Sequence, residues 1–188
     1  GDNNVASGFE ALKTEDGHGQ NVAVGYRALK TLNAGGDAHN TAVGNLAGED
    51  VTTGTGNTLI GSLSGMGLTT GGSNTALGYN SLEVDTAGSK TVAIGFNALQ
   101  AQNFSSATDS NNTAVGYAAG LSVTTGIQNT IMGGLAGDAL SHADYNTAIG
   151  YQALTADTKG SKTTAIGYNA LASQNFTSST DTFNTAVG

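Results

Sequence analysis

A five-residue pattern of alternating polar and apolar positions recurs along the whole chain. It reads Asn, then Thr or Val, then Ala, then Val, Ile or Leu, and then Gly, as in Asn21–Gly25 and Asn146–Gly150. Strict alternation over a few residues is typical of a β-strand. Each copy therefore predicts one short strand. Eleven copies occur, of which nine open with Asn and two with Thr, and they end at Gly8, Gly25, Gly44, Gly61, Gly78, Gly95, Gly116, Gly133, Gly150, Gly167 and Gly188.

The spacing of the copies predicts how the strands are arranged. Seven of the ten glycine-to-glycine intervals are 17 residues long, and the others are 19 or 21. Such a unit is too short for a pair of helices and too long for one strand, so it predicts one coil of short strands and turns. Stacked coils of about 17 residues predict an all-β fold, a parallel β-solenoid or β-roll.

A longer period lies above the coil. Residues 45–116 and 117–188 align without a gap and are identical at 41 of 72 positions, so four coils form a superrepeat. We expect residues 1–188 to form a single repeat domain. The repeat runs to Gly188, and the chain starts at Gly1 without Met. We interpret it as a fragment of a longer chain.

The alternation divides each strand between two faces. The β-branched and apolar residues at the second and fourth positions are expected to point into the coil. Asn, Ala and Gly would then form a small, flat outer face that a second chain can approach. The leading asparagines are predicted to form a ladder of side-chain amides along a rod about 48 Å long. They are Asn4, Asn21, Asn40, Asn57, Asn74, Asn112, Asn129, Asn146 and Asn184.

The size of the coil predicts self-association. A coil this short encloses few apolar side chains, whereas ordering its backbone costs about 1–2 kcal/mol per residue. Further burial is therefore needed, and the Ala/Gly face, repeated in every coil, is the predicted contact between copies of the chain. An oligomer is therefore expected, and the size of the coil does not set the number of copies.

The pattern followed by Tyr-x-Ala-Leu, as in Asn146–Leu154, resembles the head repeats of YadA-type trimeric autotransporter adhesins and repeats in phage tail fibres. The resemblance covers essentially the whole chain and implies a left-handed, homotrimeric β-roll. In that family the Val and Ile of the repeat fill each chain's core, which would apply here to Val22, Val24, Val92 and Ile94. The unit here is longer than in adhesin heads, and Thr replaces Val at the second position in 8 of 11 copies.

Composition excludes several classes of protein. The chain has no cysteine, which excludes disulfides, thiolate metal sites and a cysteine nucleophile. A net charge of −8 with only six Lys and Arg argues against nucleic-acid binding, which needs clustered cations. No apolar run approaches the length that crosses a bilayer, so membrane insertion of this segment is not expected.

No residue pattern indicates catalysis, so no enzymatic activity and no cofactor are predicted. His18, His39 and His142 lie in turn segments without partners at metal-ligand spacing. No nucleophile elbow or recurring Ser/His/Asp set occurs. Gly35–Asp37 is similar to glycine–aspartate calcium repeats, but a single copy does not favour a calcium site. The 17-residue spacing disfavours an acyltransferase of the hexapeptide-repeat type.

The aromatic residues fall into two sets. Seven follow the repeat glycine and predict a stacked, partly buried column: Phe9, Tyr26, Tyr79, Phe96, Tyr117, Tyr151 and Tyr168. Phe104 and Phe176 instead occupy equivalent places in two long connections, ahead of Asp109 and Asp181. These four residues are candidate ligand contacts, because an exposed aromatic among hydroxyl and acid groups suits a carbohydrate. The alternative, which we favour, is that each aromatic tucks its loop onto the rod.

The sequence favours a non-enzymatic extracellular attachment protein, a segment of a trimeric adhesin or phage tail fibre that presents loops to a glycan or protein receptor. The resemblance places it on a bacterial cell surface or a virion. The alternative is a structural subunit of a homopolymeric extracellular filament, because open coil ends can template further strands. Ice binding by a flat threonine array is a more remote alternative.

Overall fold

The computed structural model describes residues 3–15 and 19–188, so His18 lies outside the described residues. Fifteen strands are joined by turns, and the described residues contain no helix. The strands are β1 Val5–Ser7, β2 Val22–Val24, β3 Thr41–Val43, β4 Thr58–Ile60, β5 Thr75–Leu77, β6 Gly88–Ser89, β7 Val92–Ile94, β8 Thr108–Asp109, β9 Thr113–Val115, β10 Thr130–Met132, β11 Thr147–Ile149, β12 Gly160–Ser161, β13 Thr164–Ile166, β14 Thr180–Asp181 and β15 Thr185–Val187.

Eleven of these strands form one parallel sheet, one strand from each copy of the five-residue pattern. The order is β1-β2-β3-β4-β5-β7-β9-β10-β11-β13-β15, and equivalent residues pair throughout, as in Ala76 with Ala93. The turns also bond from coil to coil, for example from the Leu29 amide to the Ala47 carbonyl at 3.1 Å. The predicted all-β parallel solenoid with coils of about 17 residues is confirmed.

The two faces of the strands are the reverse of the prediction. The central alanines, such as Ala23, Ala76 and Ala93, are fully buried inside the coil. The fourth position points outward, so that Leu77 is 44% exposed and Val24 37% exposed. Val22, Val92 and Ile94 are half-buried at the surface rather than in a core. The Ala/Gly face therefore lies inside the coil and cannot be the contact between chains.

Leucines from the turn opposite the sheet explain this reversal. Leu29, Leu82, Leu99 and Leu154 end the Ala-Leu or Ser-Leu turns. They are fully buried and belong with the strand alanines to one apolar cluster. The coil is narrow, so a leucine reaching across it leaves room for only a methyl group on the strand. The bulkier Val and Ile side chains are consequently placed outside.

The coils that end their turn in glycine balance the volume in the opposite way. Gly48 and Gly65 stand where other coils carry leucine, and the neighbouring strand has Leu59 instead of alanine. A Cβ on Gly48 would lie 2.7 Å from Leu59 Cδ1, and one on Gly65 would lie 2.6 Å from Leu59 Cδ2. Ile131 occupies the equivalent place in the second superrepeat. In some coils the large side chain comes from the turn, and in others it comes from the strand. The interior of the coil is filled in both cases.

The long connections add two short ladders outside the main sheet. β6 pairs with β8, and β12 pairs with β14, each through two residues in parallel register. These ladders anchor the extra residues of the 21-residue coils against the coil before them. The segments 104–109 and 176–181 therefore occupy equivalent positions, four coils apart.

Candidate functional site

The outward positions of the eleven strands form one continuous surface, which we call the outer face. It consists of the second and fourth residues of each copy, and all of them are Thr, Ser, Val, Ile, Leu or Met. No charged residue interrupts it. Ile60, Leu77 and Met132 on this face are 36%, 44% and 41% exposed. The fourth positions form an exposed aliphatic row, broken only by Ser7, beside a row that is mostly threonine. An exposed aliphatic row of this kind is a candidate contact with another molecule.

Stacked aromatic rings border the outer face, just after the corner glycines. Tyr79, Phe96 and Tyr117 form one stack with ring centroids 5.4 and 5.5 Å apart. Phe9 stacks on Tyr26, and Tyr151 on Tyr168, at 5.6 and 5.7 Å. The column is interrupted where the sequence has Asn45, Ser62 and Gly134. All seven rings are between 41% and 71% exposed, so they widen the apolar surface.

The predicted asparagine positions do form a ladder, but its bonds run mainly to the backbone. The Asn57 amide donates to Asn40 Oδ1 at 2.8 Å, and the Asn74 amide donates to Asn57 Oδ1 at 3.0 Å. Asn57 Nδ2 donates to the Gly71 carbonyl at 3.0 Å. Bonds to other side-chain amides are fewer: Asn129 Nδ2 donates to Asn112 Oδ1 at 3.3 Å, Asn112 Nδ2 to Gln102 Oε1 at 2.8 Å, and Asn184 Nδ2 to Gln174 Oε1 at 2.7 Å. The eight asparagines from Asn4 to Asn146 each accept a backbone amide of the next coil and so link two coils, which is a structural role.

The glycines of the pattern form a second ladder, at the corner of each coil. They adopt φ values between +131° and +147°. A Cβ on Gly61 would lie 2.5 Å from the carbonyl oxygen of Gly78 in the next coil. Stacked backbones at this corner are too close for any side chain, so these glycines are required for the stacking.

Buried polar networks lie under the two long connections, and the sequence analysis did not find them. The fully buried Asp85 accepts hydrogen bonds from Gln102 Nε2 at 2.6 Å and from the amides of Gly88 and Phe104 at 3.1 and 3.0 Å. Gln102 Nε2 also donates to Thr91 Oγ1 at 3.0 Å.

The same network recurs in the second superrepeat. Gln174 Nε2 donates to Asp157 at 2.6 Å, and Asp157 also accepts the amides of Gly160 and Phe176. The signal in the sequence was the identity of these polar residues between the two superrepeats, at positions where other coils have Leu32, Val51 or Leu68.

The candidate ligand contacts are largely engaged by the rod itself. Phe104 is only 6% exposed, so the prediction of an exposed ring is wrong there, and the tucked arrangement that the sequence favoured is present. Phe176 is half-buried. Asp109 and Asp181 are exposed, but they pair with Lys90 at 2.6 Å and Lys162 at 2.5 Å. The four residues do not converge on one site.

Charged side chains cluster on the turns of the first coils. Arg27 bridges Glu10 at 3.0 Å and Glu49 at 3.4 Å. The hydrogen bond from Lys13 lowers the pKa of Glu10, with smaller contributions from Arg27 and Lys30. Burial, and then the neighbouring Glu49, raises the pKa of Asp50. The carboxylates of Glu10 and Glu49 are only 17% and 16% exposed, whereas Lys13 is 54% exposed, so these ion pairs lie at the surface and are partly shielded from water.

Residues 3–15 and 19–188 form no pocket. They contain no group of three or more His, Asp or Glu residues placed to hold a metal ion. No helix long and apolar enough to cross a membrane occurs in this part of the chain. His142 is exposed and contacts Ser141 Oγ at 3.1 Å. No family model, curated protein or solved structure matches the chain.

Proposed function

We propose that the chain is a rod segment of a non-enzymatic extracellular attachment fibre, on a bacterial cell surface or a virion, in which copies of the chain pack through the outer face. The observation that carries this proposal is the outer face itself. It is uncharged and continuous over eleven strands, its fourth positions are aliphatic in all copies but the first, and the aromatic column borders it.

The interior of the coil supports the need for such packing. The buried cluster consists mostly of alanine, with leucine, valine and isoleucine contributing the larger side chains. Buried apolar area stabilises a fold by about 25 cal/mol per Å², so an alanine-rich core contributes little per ordered residue. Burying the Val, Ile and Leu side chains of the outer face between chains would add the missing apolar contact.

The number of copies comes from the family resemblance and not from the geometry. The YadA-type and tail-fibre repeats imply three, and left-handed winding with them, and both stay predictions. In this proposal the rod holds binding surfaces away from the cell or virion, and its receptor is a surface glycan or protein. A homopolymeric filament is the competing proposal.

A charge placed on the outer face tests the proposal. Leu77→Asp would bury a carboxylate between chains, which is strongly unfavourable without a partner. Val84→Asp is the matched control, because Val84 lies in a turn outside the outer face and has a similar exposure, 41% against 44% for Leu77. Both variants and the unchanged chain would be measured by light scattering after size exclusion.

We expect the unchanged chain and Val84→Asp to have three times the 18.6 kDa of one chain, about 56 kDa, and Leu77→Asp to fall to 18.6 kDa. Circular dichroism would show that Leu77→Asp keeps its β-structure. A folded single chain of 18.6 kDa without any substitution would contradict the assembly. Large species of varied length would favour the filament.

A further inference from the structure

Two equivalent Asn-x-Ser/Thr triplets lie in the long connections. They are Asn103-Phe104-Ser105 and Asn175-Phe176-Thr177, and neither contains proline. Such a triplet on a surface loop is the acceptor signal for N-linked glycosylation of a secreted protein. We propose that Asn103 and Asn175 carry N-linked glycans. The inference rests on the extracellular location that belongs to the proposed function.

The two superrepeats carry this triplet at the same place in their long connections. A chain rich in Asn, Ser and Thr produces some triplets by chance. The superrepeats differ at 31 of 72 positions, yet the two triplets differ only by Ser105 against Thr177, which keeps the hydroxyl group. A third triplet, Asn111–Thr113, has no counterpart, because Phe183 replaces the asparagine. The acceptor signal is thus present in both connections, within a segment (102–116 and 174–188) that is identical at 11 of 15 positions.

The structure exposes the two recognised side chains of each triplet. Asn103 and Ser105 are exposed, whereas Phe104 between them is buried. The Phe104 amide donates to the buried Asp85 carboxylate at 3.0 Å, and the Phe104 carbonyl accepts the Ala87 amide at 3.0 Å. These two backbone hydrogen bonds of Phe104 hold the triplet in place. The carboxamide and the hydroxyl, one residue to either side, remain at the surface.

The second connection has the same arrangement. Asn175 and Thr177 are exposed on either side of the half-buried Phe176, whose amide donates to Asp157 at 3.0 Å.

The carboxamide nitrogen of each site is free of intramolecular bonds. Thr86 Oγ1 donates to Asn103 Oδ1 at 3.1 Å, and Thr158 Oγ1 donates to Asn175 Oδ1 at 3.3 Å. Within the described residues, Nδ2 of Asn103 and of Asn175 makes no hydrogen bond. The side chain is therefore held by its oxygen, and the nitrogen that accepts the sugar points to no protein partner.

The transfer uses a glycosyl diphosphate donor. A bond forms between the asparagine Nδ2 and the anomeric carbon of the sugar, and the bond from that carbon to the diphosphate oxygen breaks. The diphosphate leaves with the electron pair, and Nδ2 loses one proton. Added mass equal to a whole oligosaccharide would indicate a lipid-linked donor, and a single sugar would indicate a nucleotide-linked one.

The third triplet provides an internal control. Asn111 Nδ2 already donates to the Asp109 carbonyl at 3.1 Å. The middle residue, Asn112, is buried in the asparagine ladder, and Thr113 is half-buried at the start of β9. The hydroxyl and carboxamide of this triplet are therefore not both available, and we expect Asn111 to stay unmodified.

The full 188-residue chain, secreted from a cell that attaches N-linked glycans, tests the inference by intact mass before and after peptide N-glycosidase digestion. We expect two glycans, whose removal converts Asn103 and Asn175 to Asp. Ser105→Ala leaves Asn103 and its contacts in place and should lose one glycan. Ser105→Thr, which copies Thr177, and Asn111→Gln should each retain two.

An unmodified chain would overturn the inference, as would modification of Asn111 alone or a Ser105→Ala variant that keeps both glycans. The oligomeric mass of the same digested sample is read separately. An assembled chain without glycans overturns this inference and leaves the proposed function intact. A glycosylated single chain contradicts the proposed assembly and supports the glycosylation sites.

Discussion

At the scale of single residues, the asparagine that opens each copy is the main polar link between coils. Asn57 is fully buried, accepts the amide of Asn74 and donates to the carbonyl of Gly71. Buried backbone groups must be paired, because an unsatisfied one costs about 1–3 kcal/mol. The side chain supplies partners for two such groups in a corner where the strand ladder has not yet begun.

Asn57→Ala should therefore be strongly destabilising. It leaves the Asn74 amide and the Gly71 carbonyl without these partners, and we expect a loss of about 3 kcal/mol in the free energy of unfolding. Asn33→Ala is the matched control, because Asn33 is exposed, and its effect should stay within about 0.5 kcal/mol. Urea denaturation of both variants measures the difference, and equal midpoints would show that the ladder does not hold the coils together.

Single residues also show which features of the fold can be predicted from the sequence. The asparagine and glycine ladders follow from the periodic spacing alone. The facing of the strands does not, because alternation separates two faces without saying which one is inside. Hydrophobicity alone favours Val24 and Ile94 inside, whereas the structure buries Ala23 and Ala93. The deciding contact is a turn leucine such as Leu29, and only the folded coil shows that it reaches the strand.

At the scale of elements, each coil depends on a corner that only glycine can form. The strands are three residues long, and the glycine that follows each one turns the chain with a positive φ. Identical corners stack directly on one another. The backbone atoms of the stacked glycines therefore set how closely two neighbouring coils approach. The short strands are thereby held in one register over the whole sheet.

Gly61→Ala should disrupt this corner. Gly61 has φ +131°, and the added Cβ would lie 2.5 Å from the Gly78 carbonyl oxygen. Strain of this kind costs about 1–3 kcal/mol before the clash is counted, so we expect a loss of at least about 3 kcal/mol. Gly36→Ala meets no atom within 4 Å and has no positive φ, so it should change stability little. Thermal unfolding followed by circular dichroism compares the two, and a Gly61→Ala variant as stable as Gly36→Ala would contradict this role.

The long connections show why part of the candidate site could not be read from the sequence. Phe104 was identified by its place in an insertion, but its burial depends on Asp85, which lies 19 residues earlier in the chain. That contact exists only because one coil lies on the next. The pairing of Lys90 with Asp109 spans the same interval and was hidden for the same reason.

At the scale of the whole molecule, the chain is a stack of coils with a small alanine-rich interior and one long uncharged face of aliphatic and threonine side chains. The outer face is the surface through which we propose that copies of the chain associate. In the proposed assembly, other copies of the chain cover the outer face. Each of its exposed aliphatic positions should then be shielded in the native protein.

Labelling of an introduced cysteine tests whether other copies cover the outer face, because the 188-residue sequence contains no cysteine of its own. Leu77→Cys and Val84→Cys would be exposed to a maleimide under native conditions and after denaturation. The two positions are 44% and 41% exposed in the single chain, so they should label alike unless another copy covers one of them. We expect Cys at position 84 to react rapidly and Cys at position 77 to react only after denaturation. Equally rapid native labelling at both positions would contradict the assembly.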